Sequence, residues 1–307
     1  MDSIIELLPP AIGAELKEIA KNPGDIEEIR IRVGRPLEVM FGNRISYGHK
    51  PVLREDADLF LNKVSQFSFY MLEEELKRGY ITVQGGHRIG LAGRVILENG
   101  RVKGLRDITF FNIRIARQKK GLVNEWVRYL YHNRWLSTLI IGPPQTGKTT
   151  FLRDLARYAS SGDRSYPIRA MKVGIVDERS EIAGCVQGVP QMDFGIRVDV
   201  LDGCPKAEGM MMMIRSMSPE IIAADEIGRI EDAEAMMEAV NAGITLFITA
   251  HGHSLDDILA RPIMKNIVQE ANFERIVELK RIDRPGCISK IKDRTGKVLF
   301  DGERVRI

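Results

Sequence analysis

Cysteine, aromatic residues, net charge and long apolar runs are all in short supply, and each shortage excludes a class of protein. Cys185, Cys204 and Cys287 are odd in number, far apart and outside any C-x-x-C spacing. That excludes a disulfide framework and a cysteine-rich zinc site, and leaves them as small packing residues. The formal charge is only +3, so the molecule as a whole makes no strong electrostatic case for nucleic acid. Aromatic residues form 7% of the chain and none interleaves with Arg30, Arg32 and Arg35, so no stacking platform for single strands is evident there. No apolar run approaches the ~20 residues that span a bilayer. Met1, Asp2 and Ser3 place no basic region ahead of the short apolar run that follows. The expectation is a cytoplasmic protein, peripheral wherever it meets a membrane. Internal repeats and low-complexity tracts are missing too.

What is present is ample: 307 residues, 44% of them hydrophobic, supply a sizeable core and about two domains. The chain is organised around 137–153, STLIIGPPQTGKTTFLR. Leu139, Ile140 and Ile141 read as a buried strand, Gly142 breaks it, and Lys148, Thr149 and Thr150 open a helix. The loop Gly142, Pro143, Pro144, Gln145, Thr146, Gly147, Lys148, Thr149 fits G-x-x-x-x-G-K-[ST] at every fixed position, between the strand and helix that this pattern requires. Glycines let the backbone curl around phosphate, so that successive N–H groups point inward and the helix dipole adds to them. The loop predicts an ATP site in which Lys148 neutralises the β- and γ-phosphates and the Thr149 hydroxyl completes the shell of Mg²⁺.

The periodicity predicts two domains, 1–118 and 119–307, the second containing this loop. In the first, helical spacing up to about 22 is broken by Pro9 and Pro10. Apolar and charged residues then alternate over 28–33, and the turn at Gly34, Arg35 and Pro36 makes a hairpin with 37–41. Residues 53–78 hold two helical segments, the second carrying Met71, Leu72 and Leu76. Strands follow at 80–84 and 87–97, a hairpin turn at Asn99 and Gly100, and a strand at 109–116. Beyond the boundary near 117–121, Leu122, Val123, Trp126, Val127, Leu130 and Tyr131 make an apolar stripe, read as an entry helix. Later come a strand at 170–176, a long loop at 188–204, helices at 206–217, 231–241 and 255–270, strands at 221–224 and 244–249, and strands in the tail. The row Met210 to Met213 reads as adaptable core filling. The fold expected is α/β: a RecA-like P-loop NTPase core with a smaller N-terminal α+β domain.

Strand ends carry the remaining chemistry. The apolar run 221–224 ends in Asp225 and Glu226; Asp225 is placed to hold Mg²⁺ with Thr149, and Glu226 to polarise the attacking water. Asp177, Glu178 and Glu181 end another strand, where contact with the metal, the lytic water or the ribose competes evenly with a solvated strand-to-loop transition. His251 ends a further strand, within hydrogen-bonding range of a γ-phosphate. Its spacing from His253 is a weak metal signal without a third ligand. No arginine obviously reaches the γ-phosphate within the core, so Arg88, Arg94, Arg114 and Arg117 of the first domain are candidates to act on a neighbouring subunit. The basic clusters at Arg30, Arg32, Arg35 and at Arg114, Arg117, Lys119, Lys120 otherwise read as solvated surface.

Taken together, EIRIRVGRPL, GHRIGLAGR, FNIRIAR, GPPQTGKTT, VDERSEI, PEIIAADEIG and ITAH resemble the secretion-ATPase group of P-loop motors over essentially the whole chain, most closely the branch found in endospore-forming bacteria. In that group an acidic box and a histidine box stand where Asp177, Glu178, Glu181 and His251 stand here. Asp225 replaces the glycine usual before the glutamate, and the acidic box reads Asp-Glu instead of Glu-Asp. The resemblance implies a hexameric ATPase on the mother-cell side of a membrane. There it would energise an export or feeding channel, with membrane channel proteins of a sporulation complex as partners. Left open are a nucleic-acid-dependent NTPase that binds single strands, a small-molecule kinase with 188–204 as its lid, and a nucleotide-gated scaffold.

Overall fold

The alternation at 28–33 builds one side of an antiparallel sheet. The structure, a computed structural model, describes residues 1–42, 44–65, 73–281 and 286–302. They divide into two units, Met1–Arg117 with Gly184–Gln191, and Gln118–Ala183 with Met192–Ile307. In the first, helices α1 (Asp2–Leu7) and α2 (Pro10–Ile19) lead into β1 (Glu28–Arg32), β2 (Pro36–Phe41) and β3 (Arg44–Pro51). Helices α3 (Arg54–Val64) and α4 (Glu73–Arg78) follow, then β4 (Tyr80–Val83), β5 (His87–Glu98) and β6 (Arg101–Arg114). The sheet order is β3-β2-β1-β6-β5-β4. Ile29 and Ile31 point into a core with Ile89, Ile113 and Phe60, where Phe60 meets Phe111 edge-on at 5.1 Å. Arg30 and Arg32, on the opposite face, stay half-exposed.

Three features of this unit differ from expectation or lie outside it. The edge strand β3 has no apolar alternation to mark it and is mostly exposed. β6 starts at Arg101 instead of 109, because the β5–β6 ribbon runs on, largely exposed, to its turn. That turn has Asn99 and Gly100 both at positive φ, 50° and 74°, the backbone that a tight hairpin requires. Met71 and Leu72 lie outside the described residues; Leu76 is in α4. Buried His87 accepts the Ala116 N–H on Nδ1 at 3.0 Å, and burial, then the Met1 ammonium, push its pKa down to about 4.

The second unit contains a single helical turn α5 (Val127–Leu130), β7 (Thr138–Gly142), α6 (Lys148–Ser161), β8 (Val173–Asp177), β9 (Val198–Asp202) and α7 (Lys206–Ser216). Then come β10 (Ile221–Ala224), α8 (Ile230–Asn241), β11 (Thr245–His251), α9 (Leu255–Leu259), α10 (Pro262–Glu270), β12 (Arg275–Lys280), β13 (Cys287–Asp293) and β14 (Val298–Asp301). The expected entry helix is thus one turn, preceded by turns in which the Asp154 carboxylate accepts the N–H groups of Gly121 and Val123 at 3.2 and 3.0 Å. Part of the expected loop at 188–204 is the edge strand β9, whose half-buried residues give no apolar run. The helix expected over 255–270 breaks at Pro262, with Arg261 extended before it, as the residue preceding proline prefers. Met210 and Met213 fill core while Met212 is half-exposed.

The sheet order is β14-β13-β12-β7-β11-β10-β8-β9. β12 through β9 are parallel, and β13 and β14 add an antiparallel edge. Residues of β7, β8 and β10 are buried throughout, the continuous apolar pattern of strands covered on both faces. From β7 the chain passes over two strand positions to reach β8. Ligand crevices of such sheets open where strand order reverses, at the C-terminal ends of the strands.

Candidate functional site

The loop after β7 takes a shape that only its sequence permits. A Cβ at Gly142 would run into the Thr146 hydroxyl, which donates to the Pro143 carbonyl at 2.7 Å. Gln145 and Gly147 both have positive φ, 61° and 91°, and Gly147 is the N-cap of α6. The Lys148 ammonium lies back across the loop, donating to the Pro143 carbonyl at 3.1 Å. Burial lowers its pKa, and the charges of Asp225 and Glu226 oppose that shift. An anion entering the loop would take this ammonium from a neutral carbonyl.

Asp225 and Glu226 arrive one step beyond the last paired residue of β10. Asp225 Oδ2 accepts the Thr149 hydroxyl at 2.5 Å, so the two expected magnesium residues are brought together. A hydroxyl and a carboxylate are hard oxygen donors, a set that fits Mg²⁺ with water and phosphate completing its shell. Glu226 has a left-handed backbone, φ 54°, which turns it out of the strand. Its carboxylate accepts from Arg179 Nη1 at 3.0 Å on the surface.

The acidic stretch after β8 separates into different tasks. Asp177, only 2% exposed, accepts the N–H groups of Glu181, Ile182 and Ala183 at 2.8, 2.9 and 2.8 Å. Burial pushes its pKa up to about 6 against those hydrogen bonds. It therefore shapes the loop instead of facing phosphate. Arg153, from α6, completes the clasp by donating to the carbonyls of Ile182 and Glu181 at 2.7 and 2.8 Å. Burial alone would raise the Glu178 carboxyl, but a hydrogen bond and the charge of Lys206, with Arg229 behind, hold it below its usual value. Glu181 is exposed. Glu178, Arg179, Lys206, Asp225 and Glu226 line one small pocket.

His251 is exposed at the end of β11 and in register with Gly142. Its carbonyl accepts from Arg261 Nη1 at 2.8 Å, and Arg261 is also held on Asp257 at 2.9 and 3.1 Å. Among the described residues no group of three or more His, Cys, Asp or Glu side chains could hold a metal. In the first unit Arg88 and Arg114 are direct cross-strand partners. Arg88 lies over the Tyr80 ring at 3.4 Å, and Arg114 is exposed 3.9 Å from Glu28. Arg94 opposes Arg106 farther along the ribbon. Arg117 donates to the carbonyls of Gly24 and Ile26. Arg30 and Arg32 pair with Glu28 and Glu38, which spends their charge within the sheet.

Sequence reasoning missed three residues of the site. Arg281, just past β12, donates to Gln145 of the loop at 3.1 Å; Arg179 holds Glu226; and the Thr249 hydroxyl on β11 accepts the Glu226 N–H at 2.8 Å and donates to Asp225 Oδ1. Arg179 was visible as the one basic residue within the acidic box. The other two carry no local signal, since they matter only because β12 and β11 flank β7.

The model of the family described as "Sporulation stage III, protein AA" matches residues 1–299. The Bacillus subtilis (strain 168) protein named "Stage III sporulation protein AA" is 55% identical over 300 residues, 97% of each chain. Among solved structures, the pilus retraction motor PilT with bound ADP aligns with a TM-score of 0.60 at 16% identity, over 95% of this chain and 83% of that one. The Legionella pneumophila ATPase DotB aligns at 0.58 and 13% identity, over 88% and 76%. The fold is mixed α/β with two sheets, the RecA-like fold of these solved ATPases and motors.

Proposed function

The chain belongs to the sporulation stage III protein AA family, and from that premise we propose that it is an ATPase that hydrolyses Mg-ATP to energise a membrane-associated secretion or feeding channel during sporulation. One observation carries the reading: Lys148, the Thr149–Asp225 pair and Glu226 converge at the ends of β7 and β10. The fold-level likeness to an ADP-bound pilus retraction motor and to the ATPase DotB supports it.

Phosphoryl transfer asks for positioning and charge stabilisation. The loop amides and Lys148 bind the β- and γ-phosphates, Lys148 leaving the Pro143 carbonyl to do so. Thr149 and Asp225, already hydrogen-bonded to one another, would hold Mg²⁺, which would supply positive charge against the phosphates. Glu226, released from Arg179, orients the attacking water and takes up its proton, while His251 senses the γ-phosphate. Arg88, Arg94 and Arg114 are proposed to supply the missing positive charge across a subunit boundary in a hexameric ring, which makes assembly part of catalysis. Membrane channel proteins of a sporulation complex would receive the motion. Among the described residues no helix is long and apolar enough to cross a membrane.

The test is steady-state Mg-ATP hydrolysis against protein concentration, with Lys148→Ala and Glu226→Gln beside the unaltered chain. Rates per subunit should climb with concentration, and Glu226→Gln should fall by about 10³-fold, the scale of losing a group that acts in the transition state. Unchanged hydrolysis in Lys148→Ala would sink the proposed site.

A further inference from the structure

We infer that Thr249 is the positioning residue of this site: a single buried hydroxyl that sets both the Asp225 carboxylate and the backbone of Glu226. The inference rests on the ATPase reading above and adds to it a residue that the reading does not use. Thr249 lies fully buried on β11, the strand between β7 and β10. Two of its groups make three hydrogen bonds to three consecutive residues. The hydroxyl donates to Asp225 Oδ1, the same oxygen accepts the Glu226 N–H at 2.8 Å, and the backbone carbonyl accepts the Ile227 N–H at 3.0 Å.

The direction of both hydroxyl bonds is forced. An ionised carboxylate only accepts and an amide N–H only donates, so the one hydroxyl proton must lie toward Asp225 and a lone pair toward Glu226. With Oδ1 taken by Thr249 and Oδ2 by Thr149, the carboxylate has one orientation, its plane locked between two threonine hydroxyls. Glu226 needs such a hold more than most residues, because a glutamate at φ 54° sits where a Cβ is disfavoured. The Thr249 oxygen and carbonyl pin the N–H groups on either side of that strained peptide unit. Without them, Glu226 would relax toward extended backbone and aim its carboxylate elsewhere. Asp225 stays beside Thr149 and Glu226 beside the crevice through one hydroxyl supplied by a different strand.

The experiment compares Thr249→Val, which keeps shape and the backbone carbonyl but removes the hydroxyl, with Thr249→Ser, which restores it. Both are made in the full chain, alone and combined with Glu226→Gln. The Val variant should lose about 10- to 100-fold in kcat with KM for Mg-ATP within about threefold, the signature of an interaction needed in the transition state. Binding of a fluorescent ADP analogue in EDTA should be unchanged, while the tightening that Mg²⁺ brings should shrink. Thr249→Ser should recover both. In the Glu226→Gln background Thr249→Val should cost little more, because the two act as a unit.

Full kcat in Thr249→Val, or the same fold loss in both backgrounds, overturns the inference. Should Thr249→Val lose its cooperative melting transition, Thr249→Ser decides: a folded Ser variant keeping kcat within about threefold supports the role, and one losing it overturns the role. Failure of the ATPase reading looks different, since hydrolysis in the unaltered chain would then be absent or indifferent to Lys148→Ala.

Discussion

Two neighbouring strands end in an aspartate at the same level of the sheet, and the two carboxylates do opposite work. Ala224 of β10 pairs with Val176 of β8, so Asp225 and Asp177 stand one step beyond, side by side in register. Asp225 is met by two side-chain hydroxyls, one on each oxygen, from Thr149 and Thr249. Asp177 is met by three backbone N–H groups of the loop that follows it. The difference shows that the donors around a strand-end carboxylate decide what it can do. One hydroxyl on each oxygen leaves lone pairs open to an incoming ligand, whereas three amides on a buried carboxylate tie it to its own loop.

Exchanging the charge at each position sharpens the contrast. Asp225→Asn should cut kcat by about 10² and raise the Mg²⁺ concentration needed for half-maximal rate, with thermal melting little changed. Asp177→Ala should instead lower stability by about 2–3 kcal/mol, because it strands three N–H groups, two of them on the buried residues Ile182 and Ala183. Kinetic loss without destabilisation at Asp177 would break the comparison.

A smaller, pH-resolved effect separates the two further. The Asp177 carboxyl is raised from its ordinary 3.8 to about 6 in the folded chain. Its protonated form therefore contributes stability that is fully present below pH 3.8 and is lost as pH rises through about 6. Measured against Asp177→Asn, which does not titrate and differs by a constant offset, the stability of the unaltered protein should decline over that interval and then level off. A difference flat from pH 4 to 7 would mean that the carboxyl is not held as described. The smallest effect belongs to Arg179→Ala: the pair with Glu226 is 63% and 42% exposed, so its loss should change stability by less than about 1 kcal/mol. Urea melts resolve that bound.

The two sheets also differ in how plainly they could be read. Strands covered on both faces announced themselves as apolar runs at 139–141 and 221–224, and the half-covered β1 announced itself by alternation. β3 and β9, at sheet edges and largely polar, did not, since an edge strand is held by backbone pairing more than by buried side chains. The entry helix shortened to one turn although its apolar stripe was real, with Val123, Val127 and Leu130 buried. Periodicity records which face is buried, and short turns can bury the same face as a helix.

By itself the sequence determined whatever is local. The glycine loop, the helix that begins at Lys148 and the apolar run that delivers Asp225 and Glu226 are each contiguous, so residue type and spacing suffice to place the loop amides and the strand-end carboxylates. Tertiary structure decided which strands became neighbours, and with that the donors each carboxylate meets. Thr249 reaches Asp225 and Glu226 across 24 and 23 positions of chain, and Arg281 reaches Gln145 across 136. Those meetings exist only because β11 and β12 flank β7. Hydrogen bonds act over about 3 Å of space whatever the separation along the chain, so the partners of a side chain follow from sheet order.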